Sequence, residues 1–389
     1  MKRLAVAAAT TLLALFYRIC RLFPVKRQVV CISRQSNDAP IDFLLLKEGL
    51  ARKEPPYRTV ILADKLESPL RYLPVMAKQV FFIATSRAVV VDSYCIVVSL
   101  LGSRIKAPVV QIWHALGNMK KFGYATLDTP EGHSSETARL MHMHEGYDAV
   151  AVSSLNFRDD LAAGFNVDPS IVFEAPLPRV DLLRDPAFRS RQREAFLREH
   201  PEMAGKKTIV YCPTFRKTPP PNEEKAMQNL LSAVDFDEFN FVFLPHPVSR
   251  QTIDDPRVIT ADRSGIDPLF AADYVITDYS TVMYEAGLLG VPVFLYAYDW
   301  GTYHEKRSFN IDLARDVPTL FTDDPSVLVK AIERDAFEPE RYQCFVMESS
   351  NYPFPTCHGS LHESSLSVYS EAGSTDRLLA SQHIANWYT

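Results

Sequence analysis

At 389 residues, with 47% hydrophobic and 23% charged residues, the chain has ordinary globular composition, enough for about two to three domains around a sizeable core. A net charge of −5 and a pI near 6.1 provide no global basic field, which argues against nucleic acid as a partner. The six cysteines, at 20, 31, 95, 212, 344 and 357, lack any CxxC or zinc spacing and read as reduced core residues of a cytosolic protein.

The N-terminus departs from this pattern. Leu4–Tyr17 is apolar, bracketed by Lys2, Arg3, Arg18, Arg21, Lys26 and Arg27, with no acid before Asp38. Fourteen residues are too few to span a bilayer comfortably, and Phe16-Tyr17-Arg18 is a poor signal-peptide cleavage site. Residues 1–27 therefore read as a basic amphipathic segment lying on the cytoplasmic leaflet, against the competing reading of a helix packed on its own domain.

Beyond it, apolar runs alternate with helical patterns. Val29–Ser33, Thr59–Ala63, Ala88–Val91, Val109–Trp113 and Ala149–Ser153 read as strands. Ile41–Arg52, Pro69–Gln79, Ser134–Glu145 and Asn156–Ala163 read as helices between them. Such alternation implies a parallel sheet covered on both faces. The charged helical stretch Asp181–His200 leads to a break near Pro201–Lys207, and a second series follows: Thr208–Cys212, Phe241–Leu244, Val258–Thr260, Tyr274–Thr277 and Val293–Tyr298. The expected organisation is a membrane-associating segment 1–27, an α/β domain 28–200, a second α/β domain 201–375, and a helix over 376–389 packing back on the first domain, with a cleft between the domains. Residues 348–373, rich in Ser, His and Pro, carry no readable role.

Four polar clusters stand at the ends of strands, where open α/β sheets bind ligands. His114 follows one directly, with Lys120 and Lys121 behind it, and can act as a base near an anion; a satisfied core histidine is the bland alternative. Thr214 and Arg216 end another strand, offering a hydroxyl and a guanidinium for a bidentate phosphate contact. His246 is pinned between Pro245 and Pro247. Asp278, Ser280 and Thr281 form the turn into the helical pattern Val282–Leu289, which stops at Gly290 with Pro292 beyond. That helix terminus suits a phosphate, although Ser280 or Thr281 could equally be a plain N-cap. Tyr298-Asp299 ends the next strand, and Arg307 follows. Together these suit group transfer from a nucleotide diphosphate. GxxxxGK[ST], GxGxxG, HExxH and GxSxG are all lacking. His142-Met143-His144-Glu145 imitates a metal cluster but reads as helix surface.

Gln111–Gly123 (QIWHALGNMKKFG), Tyr211–Arg216 (YCPTFR), Leu244–Pro247 (LPHP) and Ala272–Gly287 (ADYVITDYSTVMYEAG) resemble, in order and spacing, the motifs of the CDP-glycerol glycerophosphotransferases of teichoic acid synthesis, the glycerol-phosphate primases and polymerases. The likeness runs from about Val109 to Asp312, through PVFLYAYDWGTYHEKRSFNIDL, and more weakly at Gly373–Arg377. It implies a GT-B architecture, two Rossmann-like domains, in a peripheral enzyme at the cytoplasmic face of the cell membrane. That enzyme, a phosphotransferase for substituted phosphate groups, would move glycerol phosphate from CDP-glycerol to a hydroxyl of a polyprenyl-diphosphate-linked glycan acceptor and release CMP. His114 and His246 are then catalytic; Thr214, Arg216, Asp278, Ser280, Thr281 and Arg307 bind the donor. Lys120 and Lys121 bind acceptor or phosphate, while Lys2, Arg3, Arg18, Arg21, Lys26 and Arg27 meet the membrane. Ala115 replaces the family's usual Gly beside the base. No cofactor or metal is required by the sequence, although Mg²⁺ on the donor diphosphate is compatible with it. The rival readings are a CDP-ribitol-using enzyme, a GT-B nucleotide-sugar glycosyltransferase or epimerase, and a non-catalytic nucleotide-sensing scaffold.

Overall fold

The structure, a computed structural model, describes residues 2–246, 249, 251–261 and 265–350. Among these, the chain divides into two compact units: residues 2–115 and 121–179 form unit 1, and residues 116–120 and those from 180 onward form unit 2.

Unit 1 is an α/β unit on a six-stranded, all-parallel sheet. Its strands are β1 (Gln28–Ser33), β2 (Arg58–Ala63), β3 (Ala88–Val91), β4 (Val109–Gln111), β5 (Ala149–Val152) and β6 (Val172–Glu174), in the order β2-β1-β3-β4-β5-β6. β1, β3, β4 and β5 are buried at every position, as Val-rich strands sandwiched between helices must be. The helices are α1 (Lys2–Cys20), α2 (Ile41–Arg52), α3 (Pro69–Thr85), α4 (Ile96–Leu101), α5 (Ser135–Leu140) and α6 (Arg158–Phe165). Strand order reverses between β1 and β3, which creates a crevice at their carboxyl ends.

Two departures from the expected elements have local causes. β4 stops at Gln111 because Trp113 turns into the left-handed region at φ +59, ending strand geometry two residues early. The helix expected to reach Glu145 ends at Leu140, and His142 and His144 follow with φ of +49 and +63. His144 is consequently buried rather than on a helix surface; its Nδ1 lies 2.9 Å from the Tyr147 hydroxyl, and burial pushes its imidazole down to about 3.

α1 runs past the apolar run at both ends and, at 19 residues, is long and apolar enough to cross a membrane on length and composition alone. One face packs on α3 and α4 through Tyr17 and Cys20, and the Tyr17 hydroxyl accepts from the Lys106 N–H at 3.1 Å. Leu4, Leu12, Leu15 and Ile19 remain exposed.

The expected helix 181–200 is two helices, α7 (Arg179–Arg184) and α8 (Pro186–Glu199). The Asp185 carboxylate caps α8 by accepting from the Ala187 N–H, with Pro186 as its first residue. Both fall on the unit 2 side apart from Arg179, ahead of the break near Pro201. Packing explains this: α8 lies on α10 (below), with Phe188 and Phe270 edge to face at 5.6 Å.

Unit 2 carries β7 (Lys207–Cys212), α9 (Glu223–Ala233), β8 (Phe239–Phe243), β9 (Val258–Thr260), α10 (Asp267–Ala271), β10 (Tyr274–Thr277), α11 (Val282–Leu288), β11 (Val293–Tyr296), α12 (Trp300–Lys306), α13 (Leu313–Asp316), β12 (Phe321–Thr322), α14 (Pro325–Glu333) and α15 (Pro339–Ser350). The sheet is again six-stranded and parallel, ordered β12-β11-β10-β7-β8-β9, with the reversal between β10 and β7. Its core packs Tyr211, Phe241, Phe243, Ile276, Phe294 and Ile332. Residues 116–120 join this unit through ladder-like contacts: Asn310 N–H donates to the Met119 carbonyl at 2.8 Å, and Lys120 bridges Phe309. Gly117, at φ +62, could not carry a side chain, since a Cβ would sit 2.6 Å from the Tyr284 ring. Cys20, Cys31, Cys95 and Cys212 are buried and free, as expected, whereas Cys344 is disulfide-bonded. The proposed 376–389 helix, Cys357 and most of 348–373 lie outside the described residues.

Candidate functional site

In unit 1 the switch-point crevice gathers the end of β1 (Ser33, Gln35), the end of β3 (Asp92, Ser93) and His114. The imidazole Nδ1 lies 2.8 Å from the Asp92 carbonyl oxygen and 3.2 Å from the Gln35 amide nitrogen. The nearer partner is a carbonyl, which can only accept, so with that contact made Nδ1 carries the proton and Nε2 keeps its lone pair. The Gln35 amide, itself a donor, then makes no hydrogen bond to Nδ1. Burial pushes the imidazole down to about 4; the Arg179 charge adds to the fall, while the Asp92 backbone and Asp42 oppose it. His114 is thus held neutral, in the tautomer that leaves the Nε2 lone pair open. Trp113 supports it, its ring 4.1 Å from the imidazole and stacked on Phe122 at 4.4 Å.

Asp92, absent from the residues singled out above, is buried with Oδ1 lacking a partner among the described residues. Burial pushes its carboxyl up to about 6, against hydrogen bonds from Ser33 and Ser93. No sequence signal marks it, since an Asp after a valine run is common at strand ends.

In unit 2 the turns after β7, β8, β10 and β11 meet at one sheet edge. The Asp278 carboxylate spans the switch point, accepting at Oδ1 from the Thr214 N–H at 2.8 Å and the Tyr279 N–H at 2.6 Å. Arg216 bonds Asp299 through Nε and Nη2, both at 2.7 Å, lies 2.9 Å from Asp278 Oδ2, and donates from Nη1 to the Thr214 carbonyl at 2.9 Å. Its side chain is 5% exposed, ringed by Tyr279, Tyr298 and Tyr303 at 5.0–5.6 Å. This corrects the sequence expectation: the guanidinium organises the turn and has no fork left for a bidentate phosphate contact.

The remaining cations are differently placed. Lys120 is half-buried over the Tyr303 ring at 5.3 Å. Burial pushes its ammonium down to about 7, aided by Arg307 and Arg216 and opposed by Asp278. Arg307, half-buried, closes α12 with its N–H donating to the Tyr303 carbonyl at 2.9 Å. Lys121 does not share this environment; it belongs to unit 1, is exposed, and acts on Asp160. The two lysines of the expected pair thus belong to different units.

His246 follows β8 and stacks on the Phe215 ring, with centroids 5.6 Å apart and planes 29° apart. Its carbonyl accepts from the Ser249 N–H at 2.8 Å, and Pro247 lies outside the described residues. The buried Thr214 hydroxyl has no partner among the described residues. Ser280 takes the capping role left open by the sequence, its Oγ accepting from the Val282 N–H at 3.4 Å, while the Thr281 side chain caps nothing. At the N-terminus, Lys2, Arg18 and Lys26 are exposed, Arg3 pairs with Glu136 at 3.7 Å, and Arg21 reaches the Ala84 carbonyl at 3.4 Å. Arg27 is committed within unit 1, donating to the Pro55 carbonyl at 2.6 and 2.9 Å and stacking on Tyr57 at 3.9 Å, so it leaves the set expected at a membrane.

Residues 15–352 match the family described as CDP-glycerol:poly(glycerophosphate) glycerophosphotransferase. The chain is 28% identical over 353 residues to the teichoic acid poly(ribitol-phosphate) polymerase of Bacillus spizizenii, covering 87% of this chain but only 56% of that protein. It is 29% identical to the teichoic acid ribitol-phosphate primase of the same organism, covering 81% of this chain and 84% of the relative. The teichoic acid glycerol-phosphate primase of Bacillus subtilis is 26% identical over 66% of this chain and 68% of its own length. Among solved structures, the wall teichoic acid polymerase TagF superposes with a TM-score of 0.68 at 19% identity, over 90% of this chain and 92% of that one. A UDP-N-acetylglucosamine 2-epimerase from Listeria monocytogenes reaches 0.54 at 14% identity, over 84% and 92%, a likeness of fold alone.

Proposed function

This chain belongs to the CDP-glycerol:poly(glycerophosphate) glycerophosphotransferase family, and on that premise we propose that it transfers glycerol phosphate from CDP-glycerol to a hydroxyl of a lipid-linked acceptor, releasing CMP. The observation that carries the chemistry is the 2.8 Å contact of His114 Nδ1 with the Asp92 carbonyl, which commits Nδ1 as the donor and leaves Nε2 to accept a proton. The acceptor oxygen forms a bond to the donor's β-phosphorus as the bond from that phosphorus to the bridging oxygen breaks. CMP departs with the electron pair, and the hydroxyl proton passes to Nε2. Burial keeps the imidazole neutral and its lone pair available across the physiological range, and the hydroxyl proton becomes acidic as the new P–O bond forms. Lys120, Arg307 and the unpartnered Thr214 hydroxyl are the donor-holding groups, with His246 assisting on the developing phosphate charge. Mg²⁺, where needed, would ride on the donor diphosphate, because the buried carboxylates at this edge, Asp278 and Asp299, are taken by Arg216.

Ribitol phosphate is the second reading, favoured by the two ribitol-handling relatives. A lipid-linked acceptor requires the catalyst at the bilayer, and the exposed leucine stripe of α1 would place it peripherally on the cytoplasmic face. The test is CMP release and product mass with purified protein, a lipid-linked disaccharide, and CDP-glycerol or CDP-ribitol. Turnover of UDP- or GDP-sugars instead, or donor binding without turnover on any acceptor, would overturn the proposal.

A further inference from the structure

The backbone that carries His114 is held from both sides. Downstream, Arg179 donates from Nη1 to Asp42 Oδ2 at 2.7 Å and from Nη2 to the His114 carbonyl at 2.9 Å. Asp42 also accepts at Oδ1 from the Arg179 backbone N–H at 2.9 Å, so one carboxylate fixes both ends of the arginine. Upstream, the fully buried Gln111 accepts through Oε1 from the Trp113 N–H at 2.9 Å, which stabilises the left-handed turn at Trp113. The two ionised side chains are only 14% and 5% exposed. A buried pair of this kind is weak evidence for stability, because desolvation offsets much of the attraction. Its geometry, with one guanidinium edge on a carboxylate and another on the main chain of the base, points elsewhere.

We infer that Arg179, seated by Asp42, is a positioning residue for His114: it holds the His114 carbonyl so that Nδ1 stays on the Asp92 carbonyl and Nε2 stays open. The inference rests on the base role proposed above. Lysine cannot replace it, because a compact ammonium lacks the planar fork that reaches both acceptors.

The experiment follows the histidine ¹⁵N signals of the full chain by NMR, with His114 assigned by its disappearance in His114→Gln. The expected wild-type signal is that of the Nδ1–H tautomer. Arg179→Lys should give a tautomer mixture, with kcat down ~10- to 100-fold and KM for the CDP-polyol donor changed less than about threefold. Asp42→Asn, which keeps the arginine's charge, should move both readouts in the same direction by less, and serves if the lysine variant does not fold. An unchanged tautomer in folded Arg179→Lys and Asp42→Asn overturns the inference, whatever the activity does. A shifted tautomer in a chain that never turns over a CDP-polyol upholds the positioning and overturns the proposed function alone.

Discussion

His114 Nδ1 lies 2.8 Å from the carbonyl oxygen of Asp92, a residue 22 positions earlier at the end of the neighbouring strand. The contact decides which ring nitrogen can accept a proton, and it does so through a main-chain oxygen rather than a carboxylate.

Replacing His114 with Gln removes the proposed base while keeping a side chain of similar reach. The expected outcome is a kcat lowered by ~10²- to 10⁴-fold with donor affinity, measured by calorimetry, essentially intact. The wild-type pH profile carries a second expectation. An imidazole pushed down to about 4 stays neutral well below the usual histidine range, so the acid limb of kcat/KM belongs near pH 4, not 6.5. A limb at 6.5 that persists in every variant but His114→Gln would show the ring to be solvated.

On the proposed role of Lys120, donor binding is a proton-linked event. With its ammonium near 7, about half of the free protein lacks this charge at neutral pH. A diphosphate beside it favours the charged form and raises its pKa, so binding must take up a proton above pH 7. Affinity should therefore fall as pH rises from 7 to 9, by at most about tenfold per unit. Calorimetry in buffers of different ionisation enthalpy reports the uptake directly, and Lys120→Met should abolish it. The same uptake in that variant would assign the proton to another group.

Arg216 separates a structural cation from a ligand-binding one. Truncation to Ala leaves Asp278 and Asp299 buried without a counter-charge, a loss of ~3–5 kcal/mol in unfolding free energy. Lysine restores charge but not the two parallel bonds to Asp299, so Arg216→Lys should fall between Ala and wild type. The folded fraction of Arg216→Lys should bind donor nearly as well as wild type. A donor affinity that collapses while stability holds would return Arg216 to the phosphate.

Much of the scaffold was legible because its strands are short runs of Val, Ile and Ala between helical patterns, so Ala88–Val91, Val258–Thr260 and Tyr274–Thr277 could be bounded from residues alone. The edge strands Val172–Glu174 and Phe321–Thr322 are too brief and mixed to show a period. The premature end of β4 turns on Trp113 entering a backbone region that its residue type does not announce. The candidate site divides along the same line. Histidines at strand ends can be seen in a sequence. The partners that orient one of them cannot, since Asp42 meets Arg179 across 137 residues and Asp92 acts through a main-chain oxygen. Adjacency misleads in the other direction at Lys120 and Lys121, which enter different units.

The helix α1 carries two apolar faces with different duties. Tyr17 and Cys20 pack inward, so removing the segment would strip contacts from unit 1 as well as from any membrane. The outward stripe can be tested separately: Leu12, Leu15 and Ile19 recur at helical spacing and are 67%, 55% and 50% exposed. Insertion of such side chains into the interface is worth ~1.5–3 kcal/mol each when fully buried, and each nearby Lys or Arg adds ~1 kcal/mol on an anionic surface. Changing the three to Gln should lower cosedimentation with anionic vesicles by at least about tenfold while leaving the melting temperature in place. Replacing exposed Lys2, Arg18 and Lys26 by Gln should lower it less, and chiefly at low salt, because charge attraction is screened and burial is not. If the leucine-stripe variant sediments like wild type, α1 is a packing helix alone and the acceptor must be reached by another surface.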